Sequence, residues 1–104
     1  MNKDNFWEEM RQLIQGYYSM EDLIDDNEQL GIEFVEQIGS DEHRWFIVGD
    51  NVYKINLDGE DIYFGISEVV GLKSEMMAYE DTGCDLELFK VKPVIKKTFE
   101  VVYD

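Results

Sequence analysis

From Asn5 to Tyr18 the apolar residues Phe6, Met10, Leu13, Ile14 and Tyr17 recur at helical spacing, and Glu8, Glu9, Arg11, Gln12 and Gln15 fall on the other faces. This pattern predicts a first helix. Asn5 and Glu8 stand at N-cap and N3 spacing, a relative of the capping box. Gly16 weakens the last turn, and Ser19 then offers a new N-cap with Glu21 and Asp22 behind it, where negative charge complements the helix dipole. A second, shorter helix is predicted from Met20 to Leu30, ending at Gly31.

Beyond Gly31 two periods compete. Leu30, Phe34 and Ile38 continue a helical spacing, while Ile32, Phe34 and Glu36 alternate with Glu33, Val35 and Gln37 as a strand would. Gly31 and Gly39 bracket a segment of strand length, which favours the strand. From His43 onward branched and aromatic residues predict strands over Arg44 to Val48, Val52 to Leu57, Ile62 to Val70, Ser74 to Tyr79, Asp85 to Val91 and Ile95 to Tyr103. Gly49-Asp50-Asn51, the run from Asp58 to Asp61, Gly71, Asp81-Thr82-Gly83 and Pro93 separate them. Asp58-Gly59 suits a type I′ hairpin. Two helices followed by consecutive strands predict an α+β fold with an antiparallel sheet of about five to six strands. No linker or repeat divides the chain, so residues 1–104 are expected to form a single domain, large enough to bury roughly two-thirds of its unfolded surface.

Charge changes the picture. The chain carries 24 acids against 9 bases, a net −15. In the first 42 residues Asp4, Glu8, Glu9, Glu21, Asp22, Asp25, Asp26, Glu28, Glu33, Glu36, Asp41 and Glu42 face only Lys3 and Arg11. No lysine or arginine lies between Arg11 and Arg44. Such asymmetry costs self-repulsion in the folded state, so a role other than stability is implied. With 44% hydrophobic and 13% aromatic residues, the acids decorate a fold and do not replace one. The acidity argues against direct binding to nucleic acid or to an anionic membrane. There is no apolar run of spanning length and no secretory h-region at the N-terminus, and Cys84 is a single cysteine; a cytoplasmic location is expected.

Candidate chemistry is sparse. His43, the one histidine, sits among Asp41, Glu42 and Arg44 with no nucleophile marked for it, and is read as an exposed or edge residue. Cys84 lies in an acidic setting that disfavours a thiolate and is read as structural. One Cys and one His are a poor start for zinc, and the run from Asp58 to Asp61 lacks the alternating ligands of a calcium loop. No phosphate-binding glycine motif or nucleophile elbow is present. A protein that is not an enzyme, with no cofactor and no metal, is expected.

Glu21, Asp22, Asp25, Asp26 and Glu28 fall at i, i+3 and i+4 offsets, which on a helix stand about 5–6 Å apart. That interval is comparable to the phosphate repeat of a nucleic-acid strand, roughly 6–7 Å, so a row of carboxylates can occupy an arginine-rich groove built for a backbone. The competing reading is a solvated acidic face that serves solubility alone. Glu33 and Glu36 extend the candidate partner-binding set. Tyr18 and Tyr79 are the aromatics expected to be exposed as interface anchors, while Trp7, Tyr17, Trp45, Phe46, Tyr63 and Phe64 are expected mostly in the core.

The runs HRWFIVGDNVYKI at 43–55, YFGI at 63–66, SEMMAYEDTG at 74–83 and FKVKPVIKKTFEVVY at 89–103 resemble a group of small phage and prophage proteins. In that group an Arg-Trp pair precedes a hydrophobic strand and a short acidic segment leads to a terminal Val-x-Pro-Val strand. The N-terminal helices lie outside the resemblance. In size and acidity the chain also resembles anti-CRISPR inhibitors of type II effector nucleases. The resemblance implies a nucleic-acid mimic that binds a basic nucleic-acid-handling protein, an RNA-guided nuclease in the first instance, and blocks guide-RNA or DNA binding. A monomer is expected. The alternatives are an immunity protein that neutralises a cationic nuclease toxin and, further off, a virion assembly protein with symmetric self-association.

Overall fold

The computed structural model describes residues 1–92. Two short helices, α1 (Phe6–Ile14) and α2 (Met20–Asp26), precede an antiparallel sheet of four strands, β1 (Glu33–Glu42), β2 (Phe46–Leu57), β3 (Glu60–Leu72) and β4 (Glu87–Lys90), in the order β1-β2-β3-β4. The α+β expectation holds, with four strands among the described residues instead of five to six. The expected strand from Ile95 to Tyr103 lies outside the described residues.

Helix α1 starts differently from the expected cap. A 3-10 turn, Lys3–Asn5, runs into it, and Asn2 accepts the Asn5 backbone N–H at 3.0 Å. Asn5 makes no side-chain cap, because the preceding turn already engages the chain there. Ser19 does cap α2, its Oγ accepting the Asp22 backbone N–H at 3.3 Å. That helix stops at Asp26 instead of running to Leu30. Asp25 and Asp26 occupy its last turn, where the negative end of the dipole disfavours acids, and the Asn27 side chain takes the Leu23 carbonyl at 2.8 Å. A 3-10 turn, Glu28–Leu30, follows and ends at Gly31 with φ +67°.

Residues expected as a turn, Gly49, Asp50 and Asn51, sit inside β2, which is continuous from Phe46 to Leu57. Each is explained by packing. A Cβ on Gly49 would stand 2.7 Å from Val70 Cγ1, Asp50 accepts the Ser67 hydroxyl, and Asn51 is buried. The segment from Ser74 to Tyr79, expected as a strand, is a pair of turns instead. Ser74 Oγ accepts the Met76 N–H, Asp81 accepts the Ala78 N–H, and a 3-10 turn covers Tyr79–Thr82. Local side-chain acceptors there override the branched and apolar composition.

Helices pack on one sheet face only. Phe6, Met10 and Ile14 of α1 and Met20 and Leu23 of α2 form one core with Tyr53, Ile55 and Leu57 of β2 and Phe64 and Ile66 of β3, joined by Ile32 and Leu86. Phe64 lies against Phe6, ring centroids 5.4 Å apart. One buried carboxylate penetrates this layer. Glu68 accepts the Met20 backbone N–H at 3.2 Å, the Asn51 amide at 2.9 Å and the Tyr53 hydroxyl, so the first residue of α2 is tied to the sheet. Burial first, and the bond to Glu68 second, push the Tyr53 phenol above its ordinary range.

Candidate functional site: the acidic helix and the bulged edge strand

Helix α2 buries Met20 and Leu23 and half-buries Ile24, so by periodicity every acid of the segment is left outward. Glu21, Asp22, Asp25, Asp26 and Glu28 are all exposed. None of the five is ion-paired among the described residues. Asp26 has one neutral partner, accepting the Tyr17 hydroxyl at 3.0 Å. That bond raises the Tyr17 phenol above its ordinary range, because ionisation would set two negative oxygens against each other. Tyr18, next along the chain, is exposed as expected.

Glu33 and Glu36 belong elsewhere in space. In the β1–β2 register Glu33 stands opposite Lys54 and Glu36 opposite Val52, whereas Phe34 stands opposite Tyr53, whose side chain is in the helix-covered core. Both acids therefore lie on the sheet face away from the helices. Glu33 also has a counter-ion, Lys54 Nζ at 3.5 Å, supplied from β2 across the strand pair. The seven acids thus form two groups, five on the α2 segment and two on the reverse of β1.

Strand β1 carries features that sequence spacing concealed. The register shifts between Phe34 and Glu36 and again between Gln37 and Gly39, leaving Val35 and Ile38 as bulge residues. Phe34, Val35 and Ile38 are all exposed, Phe34 at 57% and Ile38 at 54%. Apolar residues at 34, 35 and 38 cannot share one face of a regular strand, and that broken alternation was the available signal. At the far end of the sheet Trp45 is also exposed, against the expectation of a core position, with the Arg44 guanidinium 4.9 Å from its ring. Trp45 lines a shallow depression with Ser74, Met76, Met77 and Asp81, and Met76 there is 93% exposed. Tyr79 is at the margin of exposure.

His43 Nε2 lies 3.3 Å from Asp41 Oδ2, both side chains facing solvent, and its ring stacks on Phe46. Cys84 is half-buried and its Sγ contacts the Thr82 carbonyl at 3.8 Å. Among the described residues no group of three or more His, Cys, Asp or Glu side chains is arranged to hold a metal ion, and no helix is long and apolar enough to cross a membrane. No protein-family model matches the chain, and comparison with curated proteins and with solved structures found no match.

Proposed function

We propose that this protein is a non-enzymatic acidic inhibitor that binds a basic nucleic-acid-handling protein and occludes the groove in which that partner holds RNA or DNA. The observation that carries the reading is the α2 segment, where Glu21, Asp22, Asp25, Asp26 and Glu28 are exposed together with no basic side chain within ion-pair distance among the described residues. Like charges at these offsets each cost a few tenths of a kcal/mol in the free helix, a cost that a cationic groove removes on binding. The resemblance of the chain to anti-CRISPR inhibitors directs the finer proposal to a type II RNA-guided nuclease, whose heteroduplex channel is positively charged. On this reading the inhibitor competes with guide RNA or target DNA.

Purified protein used as bait, eluted with rising salt, is expected to release a basic nuclease at moderate ionic strength. A triple variant, Glu21→Lys, Asp25→Lys and Glu28→Lys, is expected to lose both capture and inhibition of guide-RNA loading by a purified type II nuclease. Inhibition that survives the reversal would sink the mimicry. Recovery of a cationic toxin nuclease in place of an RNA-guided one would redirect the same electrostatic mechanism to an immunity function.

A further inference from the structure

Helix α1 has two flanks beside its buried stripe of Phe6, Met10 and Ile14, and they are chemically unlike. On one, Arg11 and Gln15 border a cleft that also holds Asp85 and Glu87. On the other, Glu9, Gln12 and Leu13, at i, i+3 and i+4, line a depression of about 420 Å³ together with Met1 and with Leu30 of the 3-10 turn Glu28–Leu30. Leu13 and Leu30 are half-buried against the core, which fixes them as apolar walls.

Glu9 is the anomaly of this flank. Its Oε2 is closed to solvent and accepts no hydrogen bond among the described residues, although buried carboxylate oxygens are ordinarily satisfied. No base among the described residues forms an ion pair with it either. Lys3 is committed to Glu60, and Arg11 lies on the opposite flank. The carboxylate has given up part of its hydration on folding and received no donor in return. A cation entering the depression supplies one, and the broad terminal torsion of a glutamate lets the two oxygens exchange places to meet it.

We propose that this depression takes the side chain of a lysine on the basic partner, its ammonium on Glu9 and its stem on Leu13 and Leu30. This inference rests on the reading of the protein as a ligand of a basic nucleic-acid-handling protein. Two features select lysine. A guanidinium pairs best with both oxygens of a carboxylate, and with Oε2 closed off Glu9 offers at most one, which suits the point charge of an ammonium. The apolar walls suit a four-carbon stem, which buries readily while its charged head finds a polar partner. Glu28 opens the turn that ends at Leu30, so the depression adjoins the acidic row of the α2 segment and one partner surface can engage both.

The probe is n-butylammonium, a lysine side chain without its backbone, titrated into the wild-type protein while the methyl signals of Leu13 and Leu30 are followed by NMR. Saturable shifts are expected, with weaker binding of n-butylguanidinium and much weaker binding of n-butanol. Glu9→Gln should weaken binding of the probe roughly fivefold, the upper end for an ion pair near the surface. Glu8→Gln removes the same charge from an exposed position outside the depression and should leave binding unchanged. Gln12→Lys sets an ammonium one turn from Glu9, within reach of it, and should shut the probe out without lowering Tm. With the captured basic protein, purified and re-bound, Glu9→Gln should weaken affinity by a similar factor and Glu8→Gln by less. No saturable binding of butylammonium, or binding that Glu9→Gln leaves intact, overturns the lysine site and leaves the proposed function standing. Tighter binding of butylguanidinium, or equal effects of the Glu8 and Glu9 variants, overturns it likewise. A wild type that takes the probe but captures no basic protein overturns the proposed function and, with it, a partner's lysine as the occupant.

Discussion

Glu68, in the middle of β3, accepts the backbone N–H of Met20, the first residue of α2, at 3.2 Å. The acidic helix is thereby tied to the sheet by a side chain 48 positions later in sequence. Replacing Glu68 by Leu strands three donors, the Met20 amide, the Asn51 side chain and the Tyr53 hydroxyl, in a site from which water is excluded. Unpaired buried polar groups cost about 1–3 kcal/mol each before relaxation, so Glu68→Leu should lose about 2–4 kcal/mol in urea unfolding. Native-state hydrogen exchange should show the amides of α2 losing protection before those of Ile55 or Ile66; uniform loss would mean that Glu68 does not hold the helix in particular.

Tyr53 predicts an alkaline limit. Its folded pKa is raised above the ordinary value of 10.0, by burial and then by the bond to Glu68, so the fold favours the neutral phenol. The stabilisation is complete below pH 10.0 and declines as pH rises above it, since the unfolded chain ionises first. Thermal unfolding across that range should show Tm falling more steeply in the wild type than in Tyr53→Phe. The phenylalanine variant should be about 1 kcal/mol less stable at neutral pH, having lost one buried hydrogen bond.

Glu42 supplies the acid-side counterpart at the surface. Its hydrogen bond and ion pair with Lys73, 2.8 Å away, hold its carboxyl below the ordinary value of 4.5. The contribution is present above that value and is lost as pH falls through the lowered one. In a carboxyl titration followed by NMR, Lys73→Ala should return Glu42 upward.

Much of this was written locally. Ser19 as a cap, Gly31 as a helix stop and Asp58-Gly59 as the β2–β3 turn were each readable, because a short side-chain acceptor or a positive φ is a demand of two or three residues; Asp58 and Gly59 indeed sit at φ +56° and +82°. Gly49 to Asn51 were unreadable for the opposite reason. Their turn-like composition answers to Val70, Ser67 and Glu68, residues that only the folded sheet brings near. The acids of α2 were legible as a group, but their separation from Glu33 and Glu36 depends on strand register, and the exposed apolar trio depends on bulges that no spacing rule supplies.

Gly65 tests close packing on the reverse face. A Cβ built there would lie 2.1 Å from Cε2 of Phe89, its cross-strand partner. The aromatic ring covers the glycine directly, as cross-strand aromatics commonly do. Gly65→Ala should cost about 1–3 kcal/mol by forcing the ring aside. In a double-mutant cycle with Phe89→Ala part of that cost should vanish, and strict additivity would show that the ring is free to move.

The polar cluster at Asn51, Tyr53 and Glu68 also solves a problem that the apolar residues of the ribbon leave open. Along β2 and β3 the inward positions, Tyr53, Ile55 and Leu57 against Ile62, Phe64 and Ile66, are nearly interchangeable as oily surface. Sliding one strand by two residues keeps every side chain on its own face, so hydrophobic alternation alone does not forbid it. Such a slide carries Glu68 roughly 7 Å along the strand, too far to keep all three donors. A carboxylate in the core thus acts as an indexing pin, making one alignment of two long strands distinguishable from its near copies.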